Sequence, residues 1–135
     1  PSSAPTQPTD PVVDMSFDRV IRSMTAVMHG ARGTARASGR RSPYQIAGKT
    51  GTAQVIGIAQ DEEYDESVIP EKFHDHALFI AFAPVDKPQI AIAVVVENGG
   101  SGAKAAAPIA RKVMDRIFQK RLQRAAVNTR NHVFG

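Results

Sequence analysis

The chain contains no cysteine, which excludes a disulfide scaffold, a thiolate zinc site and a cysteine nucleophile. It also lacks any run of about 18 consecutive apolar residues, the length a membrane-crossing helix needs, and any charged-then-apolar secretory leader. Membrane attachment, if the protein has it, is therefore expected outside this chain. The first position is Pro1 rather than methionine, so further segments upstream are expected. Aromatic residues do not interleave its basic stretches, with none between Arg32 and Arg41 and Phe118 alone between Lys112 and Arg124, which argues against a surface that stacks single-stranded nucleic acid.

What is present is the balance of one small globular domain or a piece of a larger one: 135 residues, 42% hydrophobic and 22% charged, leave no room for two independent cores. The net charge of +4 would suit an anionic partner without choosing one. The excess sits at Arg32, Arg36, Arg40 and Arg41, and again at Lys112, Arg116, Lys120, Arg121 and Arg124. Both read as solvated surfaces. A nucleic-acid role for the first cluster would require binding that weakens steeply with salt.

Residues 1–13 open with a proline-rich tail or loop too polar to bury itself. From Asp14 to His29, Phe17, Val20, Ile21, Met24, Val27 and Met28 recur at helical spacing, with Asp14 or Ser16 available as the cap and Gly30 as the stop. A Gly/Arg/Ser-rich loop follows, then a strand-like stretch from Tyr44 to Ile58 and an acidic excursion through residues 59–75. HALFIAFA (His76 to Ala83) and QIAIAVVVE (Gln89 to Glu97) are nearly continuous apolar runs joined by a proline-bounded turn, which predicts a hairpin in a sheet covered on both faces. The Asn98 to Gly102 stretch breaks the sheet before a closing helix to about Leu122, with Pro108 in its first turn and a frayed tail from residue 125. The fold class is thus mixed α/β of the α+β type: an antiparallel sheet between helices.

The most informative stretch is YQIAGKTGTAQV, Tyr44 to Val55. Its Gly48-Lys49-Thr50 matches the end of a phosphate-binding loop, but Pro43 stands where that loop needs its first glycine. The residues that follow also favour a strand over the required helix. Lys-Thr-Gly on a strand is instead one of three elements shared by penicillin-binding proteins and serine β-lactamases. The agreement extends to Gly33-Thr34-Ala35, to DHALFIAFAP from Asp75 to Pro84, and to VVVENGG from Val94 to Gly100. Over roughly residues 14–122 the chain resembles the class B penicillin-binding proteins of Gram-negative bacteria, which are peptidoglycan D,D-transpeptidases.

That resemblance implies part of a β-lactamase/transpeptidase-like fold and a serine enzyme that cross-links stem peptides ending in D-alanyl-D-alanine, through an acyl-enzyme that β-lactams intercept. It places the parent at the periplasmic face of the inner membrane in cell elongation, with no cofactor. Side chains alternate along a strand, so the Thr50 and Thr52 hydroxyls share a face and suit a terminal carboxylate. Gly51 lets an extended peptide approach the strand. Lys49, on the other face, would assist proton transfer and supply positive potential. In the family the backbone N–H at the position of Thr52 forms half of the oxyanion hole.

Two of the three catalytic elements are missing. The chain's one Ser-x-x-Lys string, Ser101 to Lys104, follows Lys-Thr-Gly where the family has it well before, and no Ser-x-Asn occurs. The nucleophile is thus expected upstream, and this chain alone is expected to be inactive and to need the remainder of its domain. His74-Asp75-His76 offers two imidazoles on one strand face, short of the three protein ligands zinc wants, so no metal is assigned. A non-catalytic peptide-binding or interaction module that keeps the strand edge is the alternative reading, as is a hydrolytic carboxypeptidase if water replaces the acceptor amine.

Overall fold

The computed structural model describes residues 11–55, 67 and 69–133, with side chains described within 15–128. Helix α1 (Pro11–His29) is followed by a short helical turn, α2 (Arg36–Gly39), and by strand β1 (Ala47–Ala53). A 3-10 turn (Glu71–Phe73) precedes strands β2 (His76–Ala83) and β3 (Ile90–Val96). A wide π-type turn (Gly102–Ala106) then leads into helix α3 (Ala107–Val133). The strands form one antiparallel sheet in the order β1-β2-β3, with Lys49 opposite Ile80 and Ile80 opposite Ala93.

Period-two alternation gives the sheet two unlike faces. On one, Ala77, Phe79, Ala81 and Ala83 of β2 are buried beside Ile90, Ile92, Val94 and Val96 of β3. Helix α3 covers this face with Ala107, Ala110 and Met114, joined by Ala106 from the turn before it. Alanine meeting alanine lets helix and sheet approach closely, and Phe79 fills the remaining space. Its burial is worth about 1.5–3 kcal/mol.

The other face carries Lys49, Ile80 and Ala93, and α1 lies over its β1 side. Between helix and sheet runs a cleft of about 480 Å³ lined by Arg19, Val20, Met24, Val27, Lys49 and Ile80. Ile80 remains 53% exposed and Val95 62%. Cover on both faces was the expectation from the apolar runs; among the described residues α3 completes one side and α1 reaches only part of the other.

Strand β2 and the order of elements follow the sequence reading, while several ends differ. Helix α1 begins at Pro11, a residue suited to a first helical turn, so Asp14 and Ser16 stand inside the helix rather than at its cap position. Residues 1–10 of the expected tail lie outside the described residues. Strand β1 is shorter than Tyr44 to Ile58 because β2 pairs only with residues 47–53. Ile56 to Ile58 and Asp61 to Glu66 of the acidic excursion lie outside the described residues. Helix α3 continues to Val133 through the stretch expected to fray. Leu122 is 72% exposed there and Val127 56%, so intrinsic propensity (Leu, Gln, Arg and Ala, with no Gly or Pro before Gly135) carries the helix further than packing does.

Tertiary contacts outside the sheet fix where β1 starts and stops. The Tyr44 hydroxyl donates to Asp115 Oδ1 at 2.5 Å, and its ring meets Phe118 with centroids 4.5 Å apart. Arg111 binds Asp115 through Nε at 2.9 Å and donates from Nη1 to Ser38 O at 2.8 Å and Arg40 O at 3.2 Å, tying α3 to the loop before β1. Burial, and then the Asp115 carboxylate, push the Tyr44 hydroxyl's pKa upward, so it stays protonated as a donor. At the other end Asp75, itself buried, accepts the Val55 N–H at 3.2 Å.

Candidate active site

Strand β1 holds the Lys-Thr-Gly motif at the rim of the sheet, where among the described residues only β2 pairs with it. Its other edge therefore offers backbone N–H and C=O groups to an extended peptide. Ala47 and Gly48 anchor the strand in the interior, after which Lys49 is exposed, Thr50 and Gly51 are half-buried, and Thr52 is exposed. The side chains that chemistry would use thus begin where the buried part of the strand ends.

Lys49 projects on the α1 side of the sheet, beside Val20 and Ile80, and its Nζ donates to Thr50 O at 2.5 Å. By alternation Thr50 and Thr52 share the opposite face. Thr50 Oγ1 lies 3.4 Å from Thr34 Oγ1. A Cβ on Gly51 would sit 3.2 Å from Leu78 Cβ, so this glycine relieves packing against β2 as well as leaving the strand bare. The structure thereby brings Lys49, Thr50, Gly51 and Thr52 to one exposed stretch of edge strand, and adds Thr34.

The Ser-x-x-Lys string lies elsewhere. Ser101 opens the π-type turn on the α3 side of the sheet, where its carbonyl accepts the N–H groups of Lys104 at 3.1 Å and Ala105 at 2.9 Å. Lys104 is exposed. Gly102 presses on the sheet backbone: a Cβ there would meet Leu78 O at 2.2 Å and Gly51 O at 2.6 Å. The string is a buttress beneath β1, and Lys49 points away from it.

The two histidines flanking Asp75 are used in the backbone of the fold. His76 Nδ1 accepts the Asn98 N–H at 2.9 Å, and the His74 ring lies 2.8 Å from Ile69 O. Asn98 donates from Nδ2 to His74 O at 2.8 Å and to Lys72 O at 3.1 Å, and the Gly100 N–H reaches Asp75 O at 2.8 Å. The Asn-Gly-Gly turn therefore staples the end of β3 to the start of β2. Among the described residues no group of three His, Cys, Asp or Glu side chains gathers to hold a metal.

Sequence reasoning missed two supports of the site. The Tyr44-Asp115-Arg111 contact joins residues about seventy positions apart, and no local spacing announces it. His29 Nε2 accepts the Ile46 N–H at 2.9 Å just before β1. Desolvation, with the Arg111 charge second, lowers the His29 pKa and favours this neutral, accepting form. A histidine at the last position of α1 is an ordinary helix-end residue, so its place in the sequence does not announce this bond.

Three comparisons with known proteins bear on this geometry. Residues 3–115 match the family described as Penicillin binding protein transpeptidase domain. The chain is 44% identical over 107 residues to the peptidoglycan D,D-transpeptidase MrdA of Haemophilus influenzae, covering 79% of this chain and 16% of that protein. Pseudomonas aeruginosa PBP2, solved in complex with WCK 5153, is 52% identical with a TM-score of 0.60, over 73% of this chain and 18% of that one. The penicillin G acyl-enzyme complex of penicillin-binding protein A from Mycobacterium tuberculosis is 31% identical with a TM-score of 0.52, over 77% and 20%. This chain thus spans a fifth or less of each of these relatives.

Proposed function

The chain belongs to the penicillin-binding protein transpeptidase domain family, and from that premise we propose that it is the carboxy-terminal part of a serine D,D-transpeptidase of the PBP2 kind, supplying the substrate-binding strand to a nucleophile held upstream. The observation that carries this reading is the Lys-Thr-Gly strand itself: unpaired on one edge among the described residues, with Lys49 and Thr52 exposed on opposite faces.

A stem peptide ending in D-alanyl-D-alanine would lie antiparallel to that edge, its terminal carboxylate held by the Thr50 and Thr52 hydroxyls. The upstream serine oxygen attacks the penultimate alanine's carbonyl, and the C–N bond breaks to release D-alanine. The Thr52 N–H and the serine's own N–H stabilise the oxyanion, and Lys49 supplies positive potential and assists proton transfer. An amine from a neighbouring peptide then attacks the ester, forms the cross-link and frees the serine. A β-lactam acylates the same serine.

The exposed Ile80 and Val95 belong on the face that the remainder of the domain covers. The parent would work in cell-wall elongation at the periplasmic face of the bacterial inner membrane, anchored by a segment outside this chain. Intact-mass analysis of the full-length protein incubated with penicillin tests the proposal. A penicilloyl adduct on a serine upstream of this chain is expected. An adduct on Ser101 would overturn the assignment of the nucleophile, and no adduct would leave a non-catalytic peptide-binding module.

A further inference from the structure

We propose that Thr34 is a positioning residue of the carboxylate clamp, holding the Thr50 hydroxyl in the orientation that donates to the substrate's terminal carboxylate. The inference rests on the clamp reading above and adds a residue to it.

The starting observation is the 3.4 Å between Thr34 Oγ1 and Thr50 Oγ1. A threonine hydroxyl has one proton and two lone pairs, so a hydroxyl that donates to a carboxylate can still accept. Thr34 is placed to fill that role: it donates to Thr50 Oγ1, and Thr50 donates onward. Two hydroxyls in series polarise each other, which strengthens the bond to the anion at the end of the chain. Without a neighbour the Thr50 proton has three staggered positions to choose from, and with Thr34 donating, the site is arranged before the peptide arrives.

The residues on either side fix Thr34 at this spot. Gly33 is pressed onto the end of α1, where a Cβ would fall 2.4 Å from both Ala26 O and Val27 O. Ala35 is 1% exposed and its N–H donates to Val27 O at 3.0 Å. The Arg36 N–H reaches back to Gly33 O at 3.2 Å. Between these fixed neighbours Thr34 is exposed, and its hydroxyl is aimed at β1 rather than packed in the core. Each position of Gly33-Thr34-Ala35 thereby has its own reason: close approach, hydroxyl, buried methyl.

The test uses the full-length protein and compares acylation by benzylpenicillin with acylation by its methyl ester, which lacks the carboxylate charge. The ratio of the two second-order rate constants reads the clamp and cancels effects common to both. Thr34→Val, which keeps the shape and removes the hydroxyl, should lower the ratio by about two- to tenfold, the worth of one neutral hydrogen bond. It should leave the ester's rate unchanged, and Thr34→Ser should keep the wild-type ratio. A Thr34→Val protein that slows acid and ester alike would make the residue merely structural and overturn the inference. Thr50→Val separates the two levels of the argument. If it lowers the ratio and Thr34→Val does not, the inference about Thr34 fails and the clamp stands. If Thr50→Val leaves the ratio intact, the clamp reading fails and the inference with it.

Discussion

Replacing Gly102 by alanine probes the contact by which the turn before α3 supports the motif strand. An ideal Cβ at this buried position would lie 2.2 Å from Leu78 O, 2.6 Å from Gly51 O and 3.1 Å from Gly51 N. Comfortable carbon–oxygen contacts start at about 3.3 Å, so the overlap with Leu78 O is on the order of 1 Å. All three atoms are sheet backbone, and no side-chain rotation relieves them. Either the turn lifts away from the sheet, uncovering Phe79 and Ala106, or the β1–β2 ladder yields. Overpacking of this kind costs about 1–3 kcal/mol. At about 2–4 °C per kcal/mol for a domain of this class, the unfolding midpoint of the full-length protein should drop by about 2–12 °C. If Gly51 moves with the strain, penicillin acylation should slow as well, because a shift of about 1 Å in a reactive site can cost a hundredfold. Differential scanning fluorimetry and stopped-flow acylation measure the two effects. Ser101→Ala is the matched control, since the Ser101 bonds run through its backbone carbonyl. A Gly102→Ala protein with wild-type midpoint and acylation rate would refute the claim that this turn sets the strand.

Three further substitutions test other parts of the argument. Tyr44→Phe keeps the ring against Phe118 and loses the bond to Asp115. About 1 kcal/mol of stability should go with it in urea unfolding, and no loss would mean that Arg111 alone secures the loop. Lys49→Ala removes an exposed side chain and should leave the unfolding midpoint unchanged while slowing acylation by at least about a hundredfold; wild-type acylation would remove Lys49 from the mechanism. His29 predicts a pH dependence. Its folded pKa lies below the ordinary 6.5, so the unfolded chain takes up the proton first as the pH falls. The His29 contribution should be complete above about pH 6.5 and decline as the pH drops from there through the folded pKa, because a protonated Nε2 no longer accepts the Ile46 N–H. His29→Gln retains an acceptor that does not titrate, and its stability should be flatter over that interval. Identical slopes in the two proteins would exclude His29 as the source.

Much of this molecule can be read directly from its residues. The apolar runs from His76 to Ala83 and Gln89 to Glu97 mark two strands to within a residue, because short β-branched and aromatic runs bounded by Pro and Gly have few other uses. The helical spacing of Val20, Met24 and Val27 places α1, and the AGKTGTAQV stretch identifies the family before any coordinate is known. Local chemistry also assigns the opposite directions of Lys49 and the two threonines, since alternation is a property of any strand. Tertiary structure decided what depends on distance through space. It put β1 at the rim of the sheet, set the Ser101 to Lys104 string behind it as a buttress, and brought Tyr44 to Asp115 and Thr34 to Thr50. It also left one sheet face half covered among the described residues, with Ile80 and Val95 exposed on it. Periodicity and propensity are carried by neighbours along the chain, whereas edges, buttresses and hydroxyl pairs exist only once distant segments share one packed interior.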